Sequence, residues 1–114
     1  IKRSLAISML GLGFARRADA KGIAGNVAFS GVRAFHGEPA YGELVRRWLL
    51  HAPSGTLIMC HPGLVDPPLA AADTLTAPRE EEYRYLSSPA FPAVLAELGC
   101  QLVPPLALKA RRFG

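Results

Sequence analysis

Cysteine is scarce in this chain: Cys60 and Cys100 are the only two, and their positions fit neither a disulfide framework nor a zinc-ligand spacing. They read as reduced, buried thiols, which points to a cytoplasmic protein. Long apolar runs are missing as well. None approaches the roughly 20 residues that a membrane-spanning helix requires, so no membrane partner is expected. Aromatic residues make up 8% and sit mostly in apolar surroundings rather than interleaved with basic ones, which argues against a nucleic-acid surface. Charged residues are 19% and apolar residues 50%, a balance that excludes a disordered tail or a fibrous repeat. The sequence contains no G-x-S-x-G, Walker or H-E-x-x-H motif and no internal repeat.

What is present is one domain's worth of chain at most, 114 residues, divided into short elements by 10 prolines and 11 glycines. The net charge is +4 and the pI is about 9.5. Lys2, Arg3, Arg16, Arg17, Lys21 and Arg33 face only Asp19 in residues 1–37, Lys109, Arg111 and Arg112 lie in the tail, and Glu80, Glu81 and Glu82 make the middle acidic. This reads as a solvated basic surface.

Lys2-Arg3, the apolar run Leu5 to Phe14 and Ala18-Asp19-Ala20 superficially resemble a signal peptide. Arg16-Arg17 falls where a small-residue cleavage region belongs, and residue 1 is not Met. The better reading is an internal helix over 2–20, closed by Gly22. Its apolar residues lie nearly all round, so it is expected to be buried on more than one side. A short chain rarely does this alone. The expectation is a single partial domain over 1–114, a piece of something larger or one partner in an intimate oligomer.

Residues 23–31 read as strand or loop. A helix is expected from Pro39 to His51, with Tyr41, Leu44, Val45, Trp48 and Leu49 on one stripe. Thr56 to Cys60 is a five-residue apolar run with turn signals on both sides, suited to a buried parallel strand. Residues 64–78 read as irregular, with Pro67, Pro68 and Pro78. A helix follows from Arg79 to Leu86, and another opens at Ser88-Pro89 and stops at Gly99. Cys100 to Val103 reads as a last short strand. Helix–strand alternation with short connections predicts an α/β fold with about three parallel strands and about four helices.

Sites in parallel α/β folds collect at the carboxyl ends of strands. His61 follows the 56–60 run directly, and Pro62-Gly63 fixes a tight exit. An imidazole there serves as a general acid or base or a metal ligand; alternatively it hydrogen-bonds a loop carbonyl and nothing more. Asp66 either orients His61 or turns the loop before Pro67-Pro68. Arg79 opposes the dipole of the helix it heads, so it either pairs with Asp66 or Asp73 or is solvated. His36 and His51 form no metal site with His61 at their spacings. Met59 and Cys60 read as core. Gly11-Leu12-Gly13 is no phosphate loop, because no strand precedes it.

Together these residues carry a family likeness. Thr56-Leu57-Ile58-Met59-Cys60-His61-Pro62-Gly63, then Val65-Asp66 and Leu69, resembles the M-C-H-P-G-x-V-D segment of the YdjC-like carbohydrate deacetylases. Asp73 and Arg79-Glu80-x-Glu82-Tyr83-x-Tyr85-Leu86-x-Ser88, with Phe91, resemble that family's next stretch. Asn26-x-x-Phe29-Ser30-Gly31, preceded by Gly22, resembles an upstream element. The likeness covers about residues 20–103 in the correct order.

The resemblance implies an enzyme that removes acetyl groups from N-acetylated sugars such as chitooligosaccharides, on an irregular (β/α) barrel with a divalent metal, Mg²⁺ or Zn²⁺. It implies a catalytic role for His61, with Pro62, Gly63, Asp66, Arg79, Asn26 and Phe29 supporting the site or the substrate. The family's D-D, H-L-N and H-x-H segments, which supply metal ligands and base, are not in this sequence. The likeness therefore corresponds to a C-terminal half, inactive by itself, whose metal ligands lie outside the chain. The second reading is a non-catalytic, self-associating α/β module that binds a sugar or a protein partner.

Overall fold

The computed structural model describes residues 2–107. Basic tail residues Lys109, Arg111 and Arg112 lie outside them. In chain order the elements are α1 (Lys2–Leu10), α2 (Phe14–Ala20), β1 (Ala28–Ser30), α3 (Tyr41–His51), β2 (Thr56–Ile58), α4 (Pro67–Ala72), α5 (Ala77–Leu86), α6 (Ala90–Glu97) and a 3-10 turn at Pro105–Ala107. The fold is mixed α/β, as expected.

β1 and β2 pair in parallel, with Ala28 opposite Thr56, Phe29 opposite Leu57 and Ser30 opposite Ile58. A further bond from Met59 N–H to the Ser30 carbonyl (2.9 Å) extends the pairing past the strand ends. Here the backbones approach so closely that a Cβ on Gly31 would stand 2.2 Å from the Met59 carbonyl oxygen. Gly31 also has φ +98°, which an L side chain rarely adopts.

The helical layer is α3, α5 and α6, packed on one another. The stripe expected on α3 is there, with Tyr41 and Val45 buried. Edge-to-face rings join the three helices: Tyr41 to Trp48 (6.0 Å), Tyr41 to Tyr85 (5.7 Å) and Tyr85 to Phe91 (6.1 Å). Gly42 lets the Tyr85 ring against α3, since a Cβ there would lie 2.6 Å from the ring. α6 ends near Gly99 as expected, with Cys100 N–H returning to the Leu95 carbonyl at 2.8 Å.

Several expectations are corrected. The single helix over 2–20 is two, broken at Gly11-Leu12-Gly13, where Gly13 takes φ +80°. Its apolar side chains are not buried on several sides: Leu5, Met9, Leu10, Leu12 and Phe14 are exposed. Ile7, expected buried with them, is a side chain outside the description. Residues 64–78 are not wholly irregular, because Asp66 caps α4 and Pro67-Pro68 begins it. Cys100 to Val103 forms no strand, so the sheet has two strands among the described residues. β2 stops at Ile58, and Cys60 is exposed rather than buried. The split first helix and α4 raise the helix count above four. None of the helices among the described residues is long and apolar enough to cross a membrane.

The chain exposes 8774 Å², whereas a compact monomer of its mass exposes about 6,100 Å². Its radius of gyration is 16.1 Å, against about 13 Å for a typical domain near this length. Much of the uncovered surface is apolar. Phe29 and Leu57, opposed across the sheet, are 44% and 51% exposed, and Leu10 reaches 89%.

Two outcomes follow from this geometry. Gly31→Ala is expected to lose about 2–4 kcal/mol, from the positive φ and the backbone clash together. Urea unfolding checks it against Gly25→Ala, where a Cβ meets nothing within 4 Å. The purified chain is expected to self-associate at micromolar concentration, the regular closed form being an isologous dimer. Light scattering showing a sharply melting monomer would contradict this.

Candidate functional site at the carboxyl end of the sheet

Both strands run out at the same end of the sheet, β1 toward Gly31 and Arg33 and β2 toward Met59 and His61. Gly31, Val32, Arg33, Phe35, Met59 and His61 line one cavity of about 340 Å³, with Ala6 of α1 at its wall. The lining is mostly apolar, and His61 and Arg33 are its ionisable members.

Arg33 is 6% exposed and does not reach water to any useful extent. Its guanidinium is met by three carboxylates: Nε donates to Glu38 (2.7 Å), Nη2 to Glu81 (2.8 Å) and Nη1 to Glu82 (3.1 Å). It also lies over the rings of Tyr41 (5.0 Å) and Phe35 (5.3 Å). Phe35 adopts φ +65°, an arrangement that costs about 1–3 kcal/mol and persists only where its surroundings impose it. Burial by itself would lower the Arg33 pKa, but the carboxylates outweigh it and the net movement is upward.

The carboxylates in turn hold backbone. Glu38 accepts from Ala34 N–H (3.0 Å) and Glu81 from Tyr41 N–H at the start of α3 (2.8 Å). Glu82, 1% exposed, accepts from the backbone N–H of His61. The cluster thus joins the ends of both strands to α3 and α5.

His61 itself is half-buried. Among the described residues no hydrogen bond is made to its imidazole, so the loop-carbonyl bond that a purely structural histidine would use is not formed. Asp66 spends its carboxylate on the α4 cap, accepting from Leu69 N–H at 2.9 Å. Arg79 pairs with Asp73, at 2.6 and 2.9 Å. Its carbonyl accepts from Gly63 N–H (3.1 Å), so the Pro62-Gly63 exit is tied to the start of α5. Asn26 closes a local turn on the Ala28 carbonyl (2.8 Å), and Phe29 points from the exposed sheet face. The structure therefore gathers His61, Met59 and Arg33 at one cavity, ties Gly63 and Arg79 behind it, and gives Asn26, Phe29 and Asp66 local roles.

Sequence reasoning missed Arg33, Glu38, Glu81 and Glu82 as a unit. One signal was readable: Pro78, Glu82, Tyr85 and Leu86 share one face of α5, on which Glu82 is buried, and a buried carboxylate requires a cation. The cation, 49 positions away, left no mark of its own.

The sequence model of the YdjC-like proteins matches residues 3–97. The chain belongs to the YdjC-like family. Neither a curated protein nor a solved structure matches it significantly. Membership carries a carbohydrate deacetylase-related function at the level of the family. A divalent metal in this YdjC-like chain would need several donors converging on one point. Among the described residues no group of three or more His, Cys, Asp or Glu side chains is placed to hold one. The described residues do not fit a resident metal.

Cys60, beside His61, is an exposed residue whose thiol is nonetheless pushed above its ordinary value, first by partial burial and then by the nearby Glu82 carboxylate. It is therefore a poor nucleophile near neutral pH.

Burial alone would raise the Glu81 carboxyl, but the Arg33 guanidinium and the Tyr41 N–H hold it below its ordinary 4.5. A carboxyl depressed in the folded state contributes stability above its unfolded value and loses it as pH falls through the folded one. Melting temperature is expected to be nearly flat between about pH 7 and pH 5 and to fall toward about pH 3. Glu81→Gln should start lower and fall less over the acid interval, which thermal melts of both proteins at the three pH values measure.

Proposed function

We propose that this chain is the His61-bearing, C-terminal portion of a metal-dependent carbohydrate deacetylase of (β/α)-barrel type that acts on N-acetylated sugars, chitooligosaccharides among them. The observation that carries the proposal is an imidazole with no hydrogen-bond partner among the described residues, lining a cavity at the carboxyl end of a parallel strand in a YdjC-like chain. The uncovered sheet face and the unpacked first helices support the reading of a portion, because strands and helices of a larger barrel would cover them.

The chemistry assigned to His61 is proton transfer. In hydrolysis of an N-acetyl group, the oxygen of water bonds to the carbonyl carbon while one of its protons passes to a base outside this chain. The C–N bond breaks, and the acetic acid so formed gives its remaining proton to solvent and leaves as acetate. The departing nitrogen takes a proton to become the free amine. An imidazolium at His61 supplies that proton and returns to neutral imidazole. Apolar Met59, Val32 and Phe35 line the cavity beside it. A divalent ion such as Mg²⁺ or Zn²⁺ would be held by residues outside this chain and would supply Lewis-acid polarisation there. A cytoplasmic setting accords with two free cysteines.

Acetate release from N-acetylated chitooligosaccharides, with Mg²⁺, Zn²⁺ or Co²⁺ supplied, tests the proposal in two arms. The 114-residue chain is expected to give no turnover above a buffer blank. In a longer protein that contains the D-D and H-x-H segments, His61→Ala should lower kcat by about 10²- to 10⁴-fold with little change in KM. A folded variant that keeps more than about a third of wild-type kcat would remove His61 from the chemistry.

A further inference from the structure

We infer that Glu82 is a positioning residue for His61, holding the imidazole toward the cavity through the His61 backbone; the inference rests on the role proposed for His61 but is tested apart from it. Glu82 is 1% exposed, and a carboxylate this deep is retained only with its charge matched and its lone pairs occupied. One oxygen takes Arg33 Nη1 (3.1 Å) and the other takes the His61 N–H. That N–H belongs to the residue at which the chain leaves β2 for the Pro62-Gly63 turn, beyond the last sheet bond at Met59. No strand pairing fixes the peptide of His61. Glu82 does so instead, from the middle of α5.

The arrangement also sets direction. Met59 and His61 both line the cavity, which follows from the alternation of side chains along an extended segment. Rotation of the Cys60–His61 peptide would break the alternation and carry the imidazole away from Met59 and Phe35. A hydrogen bond to an ionised acceptor is about twice as strong as one between neutral groups, so it resists that rotation. Arg33 keeps Glu82 ionised and anchored, and links it to the end of β1. Glu82 thus acts on the imidazole through the backbone, without touching it.

Backbone amide hydrogen exchange on the 114-residue chain, with Val45 and Val94 amides as reporters of global opening, tests the inference. Glu82→Gln keeps the shape but loses the charge. It is expected to speed exchange at His61 by about tenfold or more beyond any change at the reporters. Nuclear Overhauser contacts from the imidazole to Met59 and Phe35 should weaken with it. Val94→Ala, which loosens the helical core, should instead move all the amides together. If Glu82→Gln does not fold, Glu82→Asp retains the charge but is one methylene too short to serve both partners, and should give the same local signature. Exchange at His61 that rises only as much as at the reporters would overturn the inference and leave Glu82 a structural ion-pair partner. In the longer protein, Glu82→Gln should lower kcat at least tenfold with KM nearly unchanged. Absence of acetate release from the longer wild-type protein would refute the deacetylase role, and the exchange result would still decide the part played by Glu82.

Discussion

The interaction on which the rest depends is the burial of one guanidinium among three carboxylates. Arg33 is too deep to be solvated, so Glu38, Glu81 and Glu82 must converge on it. Each carboxylate then uses its remaining oxygen on a backbone N–H: Ala34, Tyr41 and His61. A single buried charge in this way fixes the path after β1, the start of α3 and the exit from β2. Removing one member of such a network is far more damaging than its net worth suggests, because the remaining charges stay buried without partners. Surface pairs such as Arg46–Glu97 and Arg47–Glu43 carry no comparable weight.

Around this cluster the chain divides into a well-packed part and an uncovered one. The aromatic contacts of Tyr41, Trp48, Tyr85 and Phe91 give α3, α5 and α6 a shared core. Among the described residues α1 and α2 show no comparable packing, and Leu5, Leu10 and Phe14 are exposed. The site sits at the boundary between the two parts, where the Arg33 cluster ends and the cavity of Met59, Phe35 and His61 begins. The cavity there has paired charge on one side and open space on the other.

Much of the helical layer was legible in the sequence. The stripe Tyr41, Val45, Trp48 predicted α3 to within two residues, because burial of one face imposes a 3.6-residue period. Gly99 marked the end of α6, and the run after Pro53-Ser54-Gly55 marked β2. The errors arose where local pattern was indifferent to surroundings. Residues 2–20 have the composition of a continuous helix, but Gly11 and Gly13 permit a break and no packing opposes it. Cys100 to Val103 has strand composition but no neighbouring strand to pair with. By its sequence Asp66 suits both orienting His61 and turning the loop; in the structure its carboxylate caps α4 through the amide three residues on.

The sequence by itself determined the α/β class, the family, the position of His61 at a strand terminus and the elements that bury a periodic face. These properties are local, written in residues a few positions apart. Only the tertiary structure decided that Arg33 meets Glu38, Glu81 and Glu82, that Arg79 takes Asp73 rather than Asp66, and that Glu82 grips the backbone of His61. Opposite charges attract without regard to sequence separation, and several carboxylates were available to each cation. Which pair forms depends on where folding brings the strands and helices together, and that is settled by the packing of the whole.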